Sequence, residues 1–188
     1  MALAKRGYTV VAGVRKSQDA AAIEGAFYDW KSQQQSSSKT NGKLFPVILD
    51  VTNGTHIENA AQTVHRHCSS NNLPFVALIN NAGYCLQGPI ELLNLKAIHQ
   101  QFDTNFFGMI ALTKKMLPLL RSKATHGSGR IINLGSIAGK NAILPQLGAY
   151  SSSKAAIRVM TQTLQLELFG LGVFSSLVEP GKCNCAWC

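Results

Sequence analysis

The chain carries RIINLGS at residues 130–136 and YSSSK at residues 150–154, and its fold is organised around these two segments. The first is an apolar run that predicts a buried strand with Ser136 at its carboxyl end, and residues 149–168 have the apolar periodicity of a helix. Residues four positions apart lie on one face of a helix, so we expect the Lys154 ammonium beneath the phenol of Tyr150.

These three side chains can act together chemically. A free phenol has a pKa of about 10, and a shift of about three units towards neutrality requires roughly 4 kcal/mol of preferential stabilisation of the phenolate. A neighbouring ammonium can supply that stabilisation. A hydroxyl at a strand end can bind a substrate carbonyl, because ligands of open α/β sheets gather beyond the carboxyl ends of the strands. A Tyr and a Lys four apart are, by themselves, more often an ordinary surface contact.

Further motifs follow the same order along the chain: NNAG at residues 80–83, DTN at residues 103–105 and PG at residues 180–181. Together with Ser136, Tyr150 and Lys154 they resemble the single-domain branch of the short-chain dehydrogenase/reductase family, and the resemblance covers almost the whole chain. It implies an α/β fold with a doubly wound, Rossmann-like parallel sheet. It also implies a nicotinamide-dependent oxidoreductase that moves a hydride between a carbonyl and an alcohol carbon.

The resemblance assigns a role to each catalytic position. Tyr150 is the general acid in reduction and the general base in oxidation, and Ser136 polarises the carbonyl oxygen. Lys154 stabilises the phenolate and binds the cofactor ribose. Asn105 marks a kink in its helix and holds a water that relays protons from Lys154 to solvent.

The cofactor positions are likewise implied by the resemblance. Arg15 follows the second strand, where an arginine favours a ribose 2′-phosphate, so NADP is favoured over NAD; a solvated arginine is the alternative. Asp50 and Val51 are assigned to the adenine, although Asp50 could equally belong to a local turn with Thr52 and Asn53. The remaining contacts are assigned to Asn81, Ala82, Gly83, Pro180 and Gly181, besides Tyr150 and Lys154.

The comparison with the family pattern also indicates what this sequence lacks. Residues 1–14 correspond to the end of the first helix and to the second strand, so the first strand and its glycine-rich, pyrophosphate-binding turn are missing. Without that central strand, either the sheet closes up differently or its two halves are unsupported. After Gly181 the chain continues as KCNCAWC instead of a substrate lid and last strand. We therefore expect a truncated NAD(P)-binding domain over 1–181 and an atypical tail over 182–188.

Composition limits the remaining possibilities. A chain of 188 residues, 46% of them hydrophobic, is expected to form one core. The formal net charge is +9 with scattered basic residues, which favours a general basic surface over a nucleic-acid site. We expect no membrane span, because no apolar run is long enough to cross a bilayer. Only Cys68 and Cys85 lie outside the tail, which favours a reducing, cytoplasmic location. We expect no metal site, because His65 and His67 point to different helix faces and the three tail thiols lack a fourth ligand.

The loop and the long helices of the sequence also suggest a substrate class and an oligomeric state, and two alternative functions remain. The apolar loop with Leu144, Pro145 and Gly148 favours a lipophilic carbonyl or alcohol. Family members often form dimers or tetramers through the helices here predicted at 96–123 and 150–169. The main alternative is a catalytically silent fragment that associates with a full-length partner. An extended-family epimerase is less favoured, because such chains need a separate substrate domain.

The other elements follow from periodicity and turn residues. The predicted strands are Tyr8–Val14, Leu44–Asp50, Pro74–Ile79 and Gly172–Val178. The predicted helices are Ser17–Trp30, a helix from Asn53 or Thr55 to about Cys68, and Lys96–Lys123. Residues 33–42 are polar and rich in serine, which predicts a linker.

Overall fold

The computed structural model of the chain describes residues 1–33, 41–122, 129–140 and 144–181. Most of the predicted linker and the whole tail at 182–188 therefore lie outside the described residues. The chain forms two compact units, Met1–Val64 and His65–Cys188. None of the helices that the structure describes is both long enough and apolar enough to cross a bilayer.

The first unit is a small βαβ arrangement. Its elements are α1 (Ala2–Lys5), β1 (Thr9–Val14), α2 (Ser17–Ser32), β2 (Lys43–Ile48) and the first turns of α3 (Gly54–Ser70). The two strands are parallel, with Thr9 opposite Lys43 and Val14 opposite Ile48. Ala4, Phe27 and Leu44 form the buried core.

The second unit is built on a three-stranded parallel sheet in the order β3-β4-β5. Its elements after α3 are β3 (Ala77–Asn80), α4 (Leu95–Phe102), α5 (Gly108–Ser122), β4 (Gly129–Leu134), α6 (Gly148–Glu167) and β5 (Val173–Val178). Alternate residues of the strands are buried, among them Leu78, Ile131 and Val173. That period of two places one face of the sheet against helices α5 and α6.

The fold is the predicted Rossmann-like α/β class, with parallel strands joined by helical crossovers. Elements agree with the sequence prediction to within a few residues. The largest difference is β3, which begins at Ala77 rather than Pro74. Proline has no amide hydrogen to donate to a ladder, which disfavours Pro74 in a strand, although β2 contains Pro46. The described strands form two sheets, one of the two arrangements expected from the sequence.

The long helix predicted from Lys96 is interrupted as well as capped. Asn94 caps it by accepting a hydrogen bond from the Lys96 amide. Between α4 and α5 the backbone forms a π-helical turn over Asp103–Phe107, with Asn105 buried inside it. Such turns insert one extra residue into a helix and occur often at functional sites. The helix is therefore interrupted at Asn105, where the sequence predicted a kink.

Candidate active site

The carboxyl ends of the three strands in the second unit bring the predicted motifs to one edge of the sheet. Residues 81–83 follow β3, Ser136 follows β4, and residues 180–181 follow β5. The Ile137 amide donates to the Pro180 carbonyl over 3.2 Å, so the turn after Ser136 touches the exit of β5. Parallel strands end at the same edge, which is where open α/β sheets bind ligands.

Two buried asparagines hold these strand ends to the helices. The Asn80 side-chain amide donates to Asn133 Oδ1 over 2.8 Å and to the Thr113 hydroxyl over 2.9 Å. Asn133 in turn donates to the Thr161 hydroxyl over 2.9 Å. Because buried polar groups are costly unless paired, this network ties β3 and β4 to α5 and α6. Asn80, the first residue of the NNAG motif and the last of β3, therefore helps to hold the sheet against its helices.

Tyr150 and Lys154 lie one turn apart near the start of α6. The Lys154 Nζ atom stands 5.8 Å from the centroid of the Tyr150 ring and donates to the Leu134 carbonyl over 2.7 Å. Lys154 is buried, with 6% of its surface exposed, whereas Tyr150 is half-buried. The predicted pairing of ammonium and phenol is thus present. Lys154 is also bonded to the last residue of β4, the strand that leads to Ser136.

Burial changes the acidity of Lys154. Desolvation disfavours the charged ammonium and lowers the pKa of Lys154 from 10.5 to about 8. The side chain is therefore still mostly protonated near neutral pH. It keeps a positive charge beside the phenol, and it can also give up a proton more readily than an ordinary lysine.

Ser136 is held with its hydroxyl oriented. Its backbone is extended, and its Oγ accepts a hydrogen bond from the Ala138 amide over 3.2 Å. This bond uses a lone pair of the oxygen and not the hydroxyl proton. The hydroxyl can therefore donate to an oxygen placed beyond the strand end.

Asn105 connects three segments around the pair. Its Oδ1 accepts from the Tyr84 amide over 2.9 Å, and its Nδ2 donates to the Tyr84 carbonyl and to the Ser153 hydroxyl, each over 3.0 Å. Ser153 then donates to the Tyr150 carbonyl over 2.7 Å. The π-helical turn thereby fixes both the loop after β3 and the first turn of α6. Sequence reasoning missed Ser153, whose signal was a small polar residue directly before Lys154.

The short 3₁₀ turn at Ile137–Gly139 lies against the backbone of α6. A Cβ atom at Gly139 would stand 2.6 Å from the Lys154 carbonyl carbon and 2.8 Å from the Ala155 nitrogen. Only glycine permits this approach without displacing one of the two segments. Sequence reasoning missed Gly139 too; the available signal was a glycine directly after Ser136-Ile137-Ala138.

We expect Gly139→Ala to destabilise the chain by about 1–3 kcal/mol, the usual range for overpacking against a rigid backbone. It should also lower any carbonyl-reducing activity by about tenfold, because small displacements of a catalytic group are expensive. Chemical denaturation and initial rates would measure both effects.

Gly25→Ala is the matched control, since Gly25 lies within α2 and an added Cβ meets no atom within 4 Å there. Alanine favours a helix interior, so this variant should be slightly stabilised and equally active. Equal stability and equal activity of Gly139→Ala and Gly25→Ala would show that the close approach of Gly139 to α6 affects neither property.

In the first unit, Arg15 and Asp50 follow the adjacent parallel strands β1 and β2. Asp50 Oδ1 accepts from the Thr52 amide over 2.9 Å and from the Thr52 hydroxyl over 2.7 Å. These bonds, with a smaller contribution from the charge of Arg15, hold the pKa of the Asp50 carboxyl below its ordinary value. Val51 is buried. The local turn with Thr52 is thus present, and the adenine contact stays a prediction.

The chain was compared with known proteins. A family model described as short chain dehydrogenase matches residues 1–187. The chain is 32% identical over 183 residues to an uncharacterized oxidoreductase, YusZ, of Bacillus subtilis, covering 95% of this chain and 62% of that protein. It is 32% identical over 177 residues to an NADPH-dependent 3-dehydrocapnine reductase of Ornithobacterium rhinotracheale, covering 94% and 57%.

The fold also resembles that of a solved structure. The crystal structure of NADPH-bound carbonyl reductase from chicken fatty liver superposes with a TM-score of 0.76 at 28% identity. The match covers 92% of this chain and 68% of that one. The chain spans about three fifths of the length of the curated relatives named above.

Proposed function

Because this chain belongs to the short-chain dehydrogenase family, we propose that it is an NADP-dependent oxidoreductase that interconverts a carbonyl and an alcohol. The observation that carries the proposal is the buried ammonium of Lys154, 5.8 Å from the Tyr150 ring and bonded to the Leu134 carbonyl. A buried cation is costly, and a protein retains one where its charge or its proton is used.

The residues present fit a nicotinamide cofactor. An ammonium has three protons, and among the described residues Lys154 Nζ donates only to the Leu134 carbonyl. Its other protons suit the hydroxyl oxygens of a ribose. A Cβ built on Gly83 would be 3.5 Å from Lys154 Nζ, so the absence of a side chain there leaves room beside the ammonium. When bound, the cofactor would supply the hydride.

The protein groups then have distinct roles in carbonyl reduction. The Tyr150 hydroxyl gives its proton to the carbonyl oxygen, and the Lys154 charge stabilises the phenolate that remains. The Ser136 hydroxyl donates to the same oxygen and stabilises its developing negative charge. The Asn105 Nδ2 donates to Tyr84 and Ser153, and its Oδ1 accepts from the Tyr84 amide, which leaves one lone pair of Oδ1 for the proposed proton-relaying water.

Preference for NADP is proposed from Arg15. It is exposed, follows β1 and lies close enough to Asp50 for their charges to interact. A guanidinium can make a paired contact to a 2′-phosphate that it cannot make to a 2′-hydroxyl. The NADPH-dependent reductase among the relatives supports this preference.

We expect Arg15→Ala to weaken NADPH binding by about tenfold or more and to leave NADH binding unchanged, because a charge-assisted hydrogen bond contributes about 1.5–3 kcal/mol. Titration of each nucleotide, followed by nicotinamide fluorescence, would measure both. Arg6→Ala, which removes another exposed arginine of the same unit, should change neither affinity. An equal loss of affinity for NADPH and NADH would show that the charge of Arg15 attracts both nucleotides and does not recognise the 2′-phosphate.

The proposed activity is tested by offering the chain NADPH with a panel of carbonyl compounds and following nicotinamide oxidation. The apolar loop at Leu144 and Pro145 leads us to propose lipophilic ketones and aldehydes as the preferred class. Higher kcat/KM for these than for hydroxylated carbonyl compounds is the expected result. Failure of every compound, together with no NADPH binding, would favour the catalytically silent alternative, which relatives described as reductases do not support.

Association through α6 is part of the proposal. Val159, Leu166 and Phe169 are large apolar side chains that are mostly exposed on or just after this helix. Exposed apolar patches commonly mark protein interfaces. Size-exclusion chromatography with light scattering should therefore detect a dimer or tetramer, and Leu166→Glu should dissociate it.

A further inference from the structure

We propose that Gln101 is a positioning residue that, with Asn105, holds the segment 84–86 as a wall of the substrate site. The inference rests on the proposed function and extends it to a residue outside the catalytic group. It starts from a polar side chain that sequence reasoning gave no role.

Gln101 is completely buried in α4, with 0% of its surface exposed. Its Oε1 accepts a short hydrogen bond from the Leu86 amide in the loop that follows β3. A buried amide side chain destabilises a fold unless it is hydrogen-bonded, and among the described residues only the Oε1 of Gln101 has a partner, because its Nε2 is buried without one. Gln101 therefore exerts its effect on the backbone of Leu86.

Gln101 and Asn105 form a two-point clamp on the same loop. They are four positions apart, so they face the same side of the helix. Asn105 binds both the amide and the carbonyl of Tyr84, and Gln101 binds the amide of Leu86. The two side chains therefore bind backbone groups of two alternate residues in this loop.

The clamped segment joins two parts of the site. At one end lies Gly83, where a Cβ would be 3.1 Å from Asn105 Oδ1 and 3.5 Å from Lys154 Nζ. At the other end the Gly88 amide donates to the Gln146 carbonyl over 2.8 Å, and Gln146 has a left-handed backbone with φ of 66°. The loop thus runs from the ammonium to the segment proposed to contact the substrate.

This placement predicts a particular kinetic effect. The hydrogen bond that Gln101 accepts comes from the Leu86 amide, so its removal breaks no bond of Tyr150, Lys154 or Ser136. What changes is the position of residues 84–86. A wall that shifts weakens substrate binding in ground state and transition state alike, which raises KM and leaves kcat nearly unchanged.

The test is Gln101→Met, which keeps the length of the side chain and removes the acceptor. We expect exchange of the Leu86 amide hydrogen to accelerate about tenfold, because that amide loses its partner. We expect KM for the best carbonyl substrate to rise about tenfold, with kcat within about twofold of the original chain. Hydrogen exchange read by NMR and steady-state kinetics supply the two measurements.

Gln165→Met is the matched control. Gln165 also lies in a helix, and its Oε1 accepts the Ser175 amide over 2.8 Å, remote from the 84–86 loop. This variant loses the same kind of hydrogen bond and should lose similar stability. Its KM and the exchange of the Leu86 amide should not change.

Three results would overturn the inference. The first is a fast-exchanging Leu86 amide in the unmodified chain, which decides the matter even if Gln101→Met does not fold. The second is a fall in kcat with KM unchanged. The third is an equal KM change in Gln165→Met. Absence of turnover in the unmodified chain overturns the proposed function and the kinetic part of this inference, and exchange at Leu86 then decides the clamp separately.

Discussion

Tyr150→Phe is expected to lower kcat for carbonyl reduction by about 10³-fold, while NADPH still binds. General acid catalysis contributes about 10²–10⁴-fold, and phenylalanine removes only the oxygen that carries the proton. The backbone carbonyl of Tyr150 keeps its bond from Ser153, so the first turn of α6 should hold its geometry. Single-turnover kinetics with excess enzyme would separate the chemical step from binding.

Tyr28→Phe provides the control for Tyr150→Phe. Tyr28 is 74% exposed in α2, and loss of its hydroxyl should leave kcat unchanged. A Tyr150→Phe protein that retains more than about a tenth of the original rate would remove Tyr150 from the role of proton donor, because the remaining groups could then supply the proton.

Lys154→Met is expected to lower kcat/KM by at least about 10²-fold and, at neutral pH, to make the chain more stable. The activity falls because the phenolate loses its neighbouring charge. The stability rises because burial of the ammonium costs about 3 kcal/mol, the equivalent of lowering its pKa from 10.5 to about 8. Loss of the bond to the Leu134 carbonyl offsets about 1 kcal/mol of that gain.

The same shift predicts how stability depends on pH. Between about pH 8 and pH 10.5 the unfolded chain holds a proton on Lys154 that the folded chain has released. Stability therefore rises with pH across this window, by about 3 kcal/mol from this group. Below pH 8 the lysine is protonated in both states, and its unfavourable contribution is constant.

Urea unfolding of the original chain and of Lys154→Met, at several pH values, isolates this contribution. The difference in unfolding free energy between the two should shrink as pH rises. Lys114→Met, which replaces an exposed lysine of α5, should follow the original chain at every pH. A constant difference across the window would mean that burial leaves the pKa of Lys154 at its ordinary value.

Local pattern was enough to predict most of the fold. The periodicity of RIINLGS and of residues 149–168 matches β4 and α6 closely. The Tyr150–Lys154 pairing follows from helix geometry alone, because four residues make about one turn. The NNAG and PG motifs were identified from the family resemblance, and they lie together because a parallel sheet places the carboxyl ends of its strands at one edge.

Long-range contacts could not be predicted in this way. Gln101 looks like one more polar residue of an amphipathic helix, and only the fold brings it to the Leu86 amide. Gly139 gives no local sign that it meets the backbone of α6. The water relay expected of Asn105 stays a prediction, and the bonds of its side chain to Tyr84 and Ser153 are contacts that the sequence did not indicate.

The sequence by itself determined the strands, the helices and the identity of the residues at the strand ends, because these depend on neighbours within one or two turns. Only the tertiary structure decided how acidic Lys154 is and which groups hold the loop beside it. Those properties depend on desolvation and on hydrogen bonds between residues far apart in the chain, such as Lys154 with Leu134 and Gln101 with Leu86.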